Sequence, residues 1–470
     1  MRCIIIGTPY FFVILQANMK VNEEKALILG REKVSTLLLQ YATPAIIAQI
    51  ASSLFNVVDR IFIGQGVGAL AISGLALTFP FMNLAAAFGA LVGVGASALT
   101  SIKLGEKDYT TARLVLGNVI ILNLIFGILF TVVCLPFLEP ILYAFGGSDQ
   151  TVAYAKEYMF IILLGNVFTH LYLGLNAVLR SAGYPTKAMY VTIFAVGLNA
   201  VLDALFILVF KWGIAGAAWA TVITQIIATL VLIFIFLKQN QIVHFTKDCF
   251  KLKKKIVADA CSIGMSPFMT NVVACLVVII INIQLKKYGG DLAIGAYGII
   301  NSIAFTFVMI ILGLTQGMQP IIGYNYGAKT YDRVLETLKK GMVVGFVITT
   351  IGFLLAEFTP RLISAAFSSD EKMIDLSIDG FRLFMMAFPL VGMQIVASNF
   401  FQSIGKAQKA IFLSLTRQLI FLIPLLFILP KFWGLNGVWL SSAFADILST
   451  FVAFVVLYLE VKYMRQLLKK

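Results

Sequence analysis

Charge is what this chain has least of: of its 470 residues only 12% are charged, while 60% are hydrophobic. A soluble domain carries roughly twice that share of charge, so a water-exposed globular fold is excluded. Histidine is scarcer still. His170 and His244 are the only two, so no HExxH or other paired-histidine metal site is available for an intramembrane enzyme. No GxxxxGK[ST] phosphate loop is present, so ATP-driven pumping by this chain alone is not expected. Five cysteines (Cys3, Cys134, Cys249, Cys261, Cys275) show no CxxC spacing. They read as small buried apolar residues rather than metal or redox groups, and no cofactor is expected.

What the chain has is long apolar runs, such as Leu114–Phe137 and Trp219–Leu237. A helix rises about 1.5 Å per residue and the hydrocarbon core is about 30 Å thick, so each run spans a bilayer. Open sheets would leave backbone groups unpaired in lipid, and the runs lack the alternation of barrel strands. The predicted fold is all-α, an integral membrane protein of twelve transmembrane helices. They fall near 36–62, 70–100, 112–136, 150–180, 187–210, 214–238, 256–285, 292–324, 334–358, 374–403, 408–430 and 434–462.

The net charge of +14 does not imply nucleic acid, because the basic residues sit in short connections between apolar runs. One set of loops holds Lys103, Lys107, Arg113, Arg180, Lys187, Lys247–Lys255, Lys329, Arg333, Lys406 and the Lys462–Lys470 tail; the opposite set holds few. By the positive-inside rule both termini are expected in the cytoplasm, with the chain multi-pass in the cytoplasmic (inner) membrane. Residues 1–35 form a cytoplasmic N-terminal segment. Of these, 1–18 resemble a signal-like run ahead of Met19, which begins a polar stretch suited to a native start. An N-lobe over 36–238, a basic linker over 239–255, a C-lobe over 256–462 and a tail over 463–470 complete the division.

The two lobes resemble each other. A shift of about 222 residues superposes Gly95 on Gly317, Gly105 on Gly327, Lys107 on Lys329, Tyr109 on Tyr331, Ser181 on Ser403 and Gly183 on Gly405. With one residue of slippage Trp212-Gly213 meets Trp433-Gly434, and Pro44 meets Pro267. Six helices per copy is an even number, so both copies share one topology about an axis along the membrane normal. Such repeats belong to transporters that rock around a site between lobes.

Polar side chains within the spans are expensive and mark function. Asp59 lies on the first helix with Asn56 three residues before it; Asn199 and Asp203 share a face of the fifth; Thr221 and Gln225 lie on the sixth. Counted from the outer helix ends, Asp59 lies about 7 Å deep, Asp203 about 10 Å and Thr221 about 12 Å, so the three helices present oxygens at one level. Carboxyl groups that share a poorly hydrated site hold protons more tightly, and with Asn199 and Thr221 the same oxygens suit Na⁺. H⁺ or Na⁺ is therefore the expected coupling ion at Asp59, Asn199, Asp203 and Thr221. Gln49, Asn56, Asn176 and Gln225 are expected to support them. In the C-lobe, Arg417 and Asp446 stand symmetrically about the Lys431–Phe432 loop and are expected to form a structural ion pair across a hairpin. Pro44 and Pro267 remove backbone bonds inside the first helix of each lobe, which makes Pro44 a candidate hinge.

These residues carry a resemblance. Pro44 with Asn56-Val57-Val58-Asp59, Gly93-Val94-Gly95 with Gly105, Arg180-Ser181-Ala182-Gly183, Asn199-Ala200-Val201-Leu202-Asp203 and Ala218-Trp219-Ala220-Thr221 resemble the MATE (multidrug and toxic compound extrusion) transporters, in their MepA-like bacterial branch, over residues 30–465. The resemblance implies two six-helix bundles in a V, drug export driven by H⁺ or Na⁺, and a cation site at Asp59, Asn199, Asp203 and Thr221. In some relatives protonation bends the first helix at the proline matching Pro44. Other relatives use a Glu on the seventh helix and an Asp on the tenth; here Val257–Leu285 holds only Asp259, and Phe381–Gln402 holds no acid.

The expected function is a cation-coupled multidrug efflux antiporter. It would export amphipathic, often cationic drugs or toxic metabolites by alternating access, as a monomer in the lipid bilayer. The alternative is a flippase for a lipid-linked precursor. That reading calls for several Arg or Lys in the cavity, whereas the candidate charges of the N-lobe are acidic.

Overall fold

The computed structural model describes residues 28–145, 147–238, 241–367 and 370–468. Segment 1–18 and the Met19 start lie outside the described residues. The apolar runs fold as helices because lipid offers no partner for backbone N–H and C=O groups, and a helix satisfies them internally. The first six are α1 (Val34–Gly66), α2 (Ala69–Gly105), α3 (Tyr109–Cys134), α4 (Asp149–Ser181), α5 (Pro185–Asp203, continuing as a π-helical stretch Ala204–Val209) and α6 (Gly213–Leu237). The second six are α7 (Lys254–Gly290), α8 (Leu292–Gly327), α9 (Tyr331–Phe358), α10 (Glu371–Met385 with Phe388–Ser403), α11 (Ala407–Ile428) and α12 (Pro430–Leu467). Eleven of these are long and apolar enough to cross a membrane, and the two halves of α10, bent by 48°, make a twelfth span. The α10 bend falls just before Pro389, whose missing N–H breaks the ladder there. By contrast α1 runs unbroken through Pro44.

The duplication is written into the backbone as well as the sequence. Lys107 and Lys329 both adopt φ 60°, an unusual value for a residue with a Cβ, and each closes the turn after the second helix of its lobe. Short helices absent from the sequence-based expectation, Leu138–Ala144 and Pro360–Phe367, occupy matching places before α4 and α10. Matching caps follow them. Ser148 accepts from the Thr151 N–H at 3.4 Å, and Asp370 from the Lys372 N–H at 2.9 Å.

Within the first lobe α2 packs on α4, α4 on α6 and α1 on α5; within the second, α9 and α12 pack on α10. The lobes meet where α1 and α2 cross α7 and α8. Glycines allow the approach. A Cβ on Gly105 would fall 1.9 Å from the Tyr324 carbonyl oxygen, and one on Gly327 would fall 2.1 Å from that of Ile102, which is the same contact reflected through the pseudo-axis. Ser97 Oγ donates to Gln319 Oε1 at 2.9 Å, and these two residues are 222 apart, so equivalent positions of the copies touch each other. The close contacts cluster at the end that carries the basic loops, where Arg333 also donates to the Leu29 carbonyl at 3.2 Å. The lobes form a V closed at that end.

Candidate functional site

Asp59 sits seven residues before the end of α1, and Asp203 is the last residue of α5 before the helix widens into its π-helical stretch. A π-turn re-aims side chains and is common at functional sites. Asp59 is 5% exposed and Asp203 is 0% exposed. The two carboxylates interact electrostatically with each other. Asp59 Oδ1 and both carboxylate oxygens of Asp203 are buried with no hydrogen-bond partner. Arg60 acts on Asp59 electrostatically but is itself exposed, so the pair of acids is not closed off by a buried cation from its own helix.

Asn199, one turn before Asp203, donates through Nδ2 to Thr221 Oγ1 at 3.5 Å. The hydroxyl of Tyr158 on α4 stands close to Thr221 and within electrostatic reach of both Asp59 and Asp203. Four helices thus converge: α1 and α5 supply the acids, and α6 and α4 supply hydroxyls. Tyr158 carried no signal as a sequence feature, because a tyrosine in an apolar run is an ordinary core residue. Only a count of helix depth, which sets it nine residues into α4 and level with Asp59, would have nominated it. Unpartnered buried carboxylate oxygens are costly. A proton or a hard cation would satisfy them, and the donor set of carboxylate, amide and hydroxyl oxygens suits either.

The expected supporting residues divide. Gln225 lies one turn along α6 from Thr221, on the same face, with a buried unpartnered Oε1. The side chain of Asn56 lies outside the described residues. Gln49 and Asn176 are not at the site, which corrects the expectation for both. Gln49 Nε2 reaches Met309 Sδ of the other lobe at 3.3 Å, and Asn176 Nδ2 binds the Ala188 carbonyl at 3.0 Å and Thr192 Oγ1 at 3.3 Å. Both share a helix with a site residue or its neighbours but lie several turns nearer the basic end, and helices keep residues that far apart from meeting.

In the second lobe Arg417 donates from Nε to Asp446 Oδ1; the carboxylate is buried and the guanidinium half-buried over it. Arg417 lies inside a second π-helical stretch, Thr416–Leu422. Arg382 faces outward, 3.7 Å from Glu357 and largely exposed.

A family model described as MatE matches residues 44–205 and again residues 267–428, one copy for each lobe. Multidrug export protein MepA of Staphylococcus haemolyticus is 27% identical over 438 residues, covering 93% of this chain and 96% of the relative. Among solved structures, the MATE multidrug transporter DinF-BH is 35% identical, with a TM-score of 0.85 over 91% of this chain and 96% of that one. An outward-facing multidrug resistance MATE family transporter is 23% identical, with a TM-score of 0.88 over 93% and 98%. The proteins matched are membrane transporters, not enzymes.

Proposed function

Because the chain belongs to the MatE family of multidrug transporters, we propose that it is an antiporter that exports amphipathic, often cationic small molecules in exchange for H⁺ or Na⁺. The observation that carries this reading is the pair of buried acids without hydrogen-bond partners on three of their four oxygens. Asp59 and Asp203 hold the coupling ion, Asn199, Thr221 and Tyr158 complete its oxygen shell, and Gln225 supports them from the next turn. Charge drives the exchange: an organic cation in the cavity makes the same negative site less favourable for the ion, and the ion does the same to the drug. One monovalent cation moving down about 100 mV supplies about 2.3 kcal/mol, enough to bias each cycle outward.

Both termini lie on the cytoplasmic side in this reading, so the basic end of the V is cytoplasmic and the acids sit toward the outer surface. Pro44, which leaves one backbone carbonyl of α1 without its helical partner, is where α1 would bend as the site fills and empties. A flippase for lipid-linked pyrophosphates finds less support, since the buried charges without hydrogen-bond partners toward the outer end of the first lobe are negative. The reading is tested in vesicles loaded with ethidium by collapsing ΔpH and the Na⁺ gradient one at a time. Efflux should stop with one of the two. Efflux indifferent to both gradients would overturn cation coupling.

A further inference from the structure

The connection between the lobes is folded onto the first of them. Arg113 Nε donates to the Ile242 carbonyl at 2.9 Å. Asn118 of α3, itself buried, donates to the Lys251 carbonyl at 3.0 Å and accepts from the Lys253 N–H at 3.1 Å. Ile242, Val243 and Cys249 are buried, and the Cys249 carbonyl lies so close to α3 that a Cβ on Gly117 would fall 2.0 Å from it. Any larger residue at Gly117 would push the segment away.

The other side of the segment is open, and its composition is specific. Lys247, Lys251, Lys253, Lys254 and Lys255 are all exposed, and between them Phe250 is 46% exposed and Leu252 is 50% exposed. The acid among them, Asp248, pairs with Lys251 at 2.7 Å. Burial holds the His244 imidazole below its usual range, so the positive charge here comes from lysine. Position along α3 fixes the depth. Gly117 precedes the outer end of that helix at Cys134 by about 26 Å at the helical rise, a little less than the roughly 30 Å of hydrocarbon. The segment therefore lies against the lobe at the boundary between acyl chains and headgroups.

We propose that residues 241–255 form an interfacial strap that binds acidic phospholipid headgroups of the adjoining leaflet. Phe250 and Leu252 enter the acyl boundary, and the lysine ammonium groups, on long apolar stems, reach the phosphates beside them. A soluble acidic protein would match the lysines but would leave two apolar side chains at the bilayer edge without a role. The strap ties the first lobe to the leaflet and runs into the first turn of α7, which begins at Lys254, so the second lobe moves relative to an anchored first one.

The test uses the full chain in an uncharged detergent and fluorescent phosphatidylglycerol or phosphatidylcholine of equal chain length. The intact protein should prefer phosphatidylglycerol. Changing Lys251, Lys253, Lys254 and Lys255 together to Gln should weaken that preference by at least about fivefold, the factor that about 1 kcal/mol for a single lysine represents. Changing the same four to Arg should preserve it, which separates charge from misfolding. A Gln variant that keeps the full preference, an intact protein with none, or displacement of the lipid by millimolar inorganic phosphate would each overturn the proposal. Retention of lipid in excess phosphate supports it.

Discussion

The two lobes share a backbone plan and differ in what they bury. Carried across by the repeat with the slippage seen at Pro44 and Trp212, Asp59 falls on Asn282 and Thr221 on Ser442, while Asp203 falls on Leu425, Tyr158 on Gly380 and Asn199 on Phe421. Where the first lobe has its two acids and Tyr158, the second has an amide, a leucine and Trp439, which packs over Gly380. The second lobe's own inward charges, Arg417 and Asp446, neutralise each other. One site keeps its charge unpaired and the other cancels it, which assigns the lobes different work. An unpaired buried carboxylate is costly unless something mobile satisfies it, whereas a closed ion pair needs nothing from outside.

The sharpest way to break this contrast is to exchange the consequences. Asp59→Asn and Asp203→Asn should each drop gradient-driven ethidium efflux to the level of protein-free vesicles while the protein still expresses and folds. The double replacement Arg417→Met with Asp446→Leu should leave efflux close to that of the intact protein. If the second-lobe double variant also stops efflux, the ion pair is part of the transport cycle and the contrast fails.

A smaller effect, on stability, separates the two kinds of burial. Arg417→Met alone strands the Asp446 carboxylate and should cost about 3–5 kcal/mol, and Asp446→Leu added to it should recover most of that loss. Unfolding midpoints in detergent measure both. Asp203→Asn, with no partner to strand, should lower the midpoint little or raise it. The smallest effect is expected at Tyr158. Tyr158→Phe removes one hydroxyl from the proposed oxygen shell, a loss worth about 0.5–1.5 kcal/mol, so half-saturation for the coupling ion should rise by roughly tenfold or less. A complete loss of coupling there would make Tyr158 a proton-carrying group rather than a member of the oxygen shell.

The helices were legible in the sequence because lipid leaves a chain few choices. Runs such as Leu114–Phe137 cannot be anything but spans, and the observed α3 matches within a few residues. The convergence of Asp59, Asn199, Asp203 and Thr221 was also readable, since 1.5 Å per residue turns a residue count into a depth. The same ruler, applied to Gln49 and Asn176, would have kept them out of the site: each sits far along its helix toward the basic end. Tyr158 was hidden for another reason. Its ring belongs to the core, and only the placement of its hydroxyl near groups on three other helices sets it apart. The short helices Leu138–Ala144 and Pro360–Phe367 were too brief for a periodic signal, although Pro140 and Pro360 mark where they lie. The strap on α3 was visible as charge but not as structure, because nothing in Asn118 or Gly117 announces what will pack against them.

In the proposed cycle one buried acidic site in the first lobe holds an ion that the drug expels. Adding tetraphenylphosphonium to purified protein in lipid nanodiscs, with H⁺ and Na⁺ release followed directly, tests it without any gradient. Ion release is expected from the intact protein and from the Arg417→Met/Asp446→Leu variant, and none from the Asp59→Asn/Asp203→Asn variant. Equal release from the variant without the two acids would contradict that cycle.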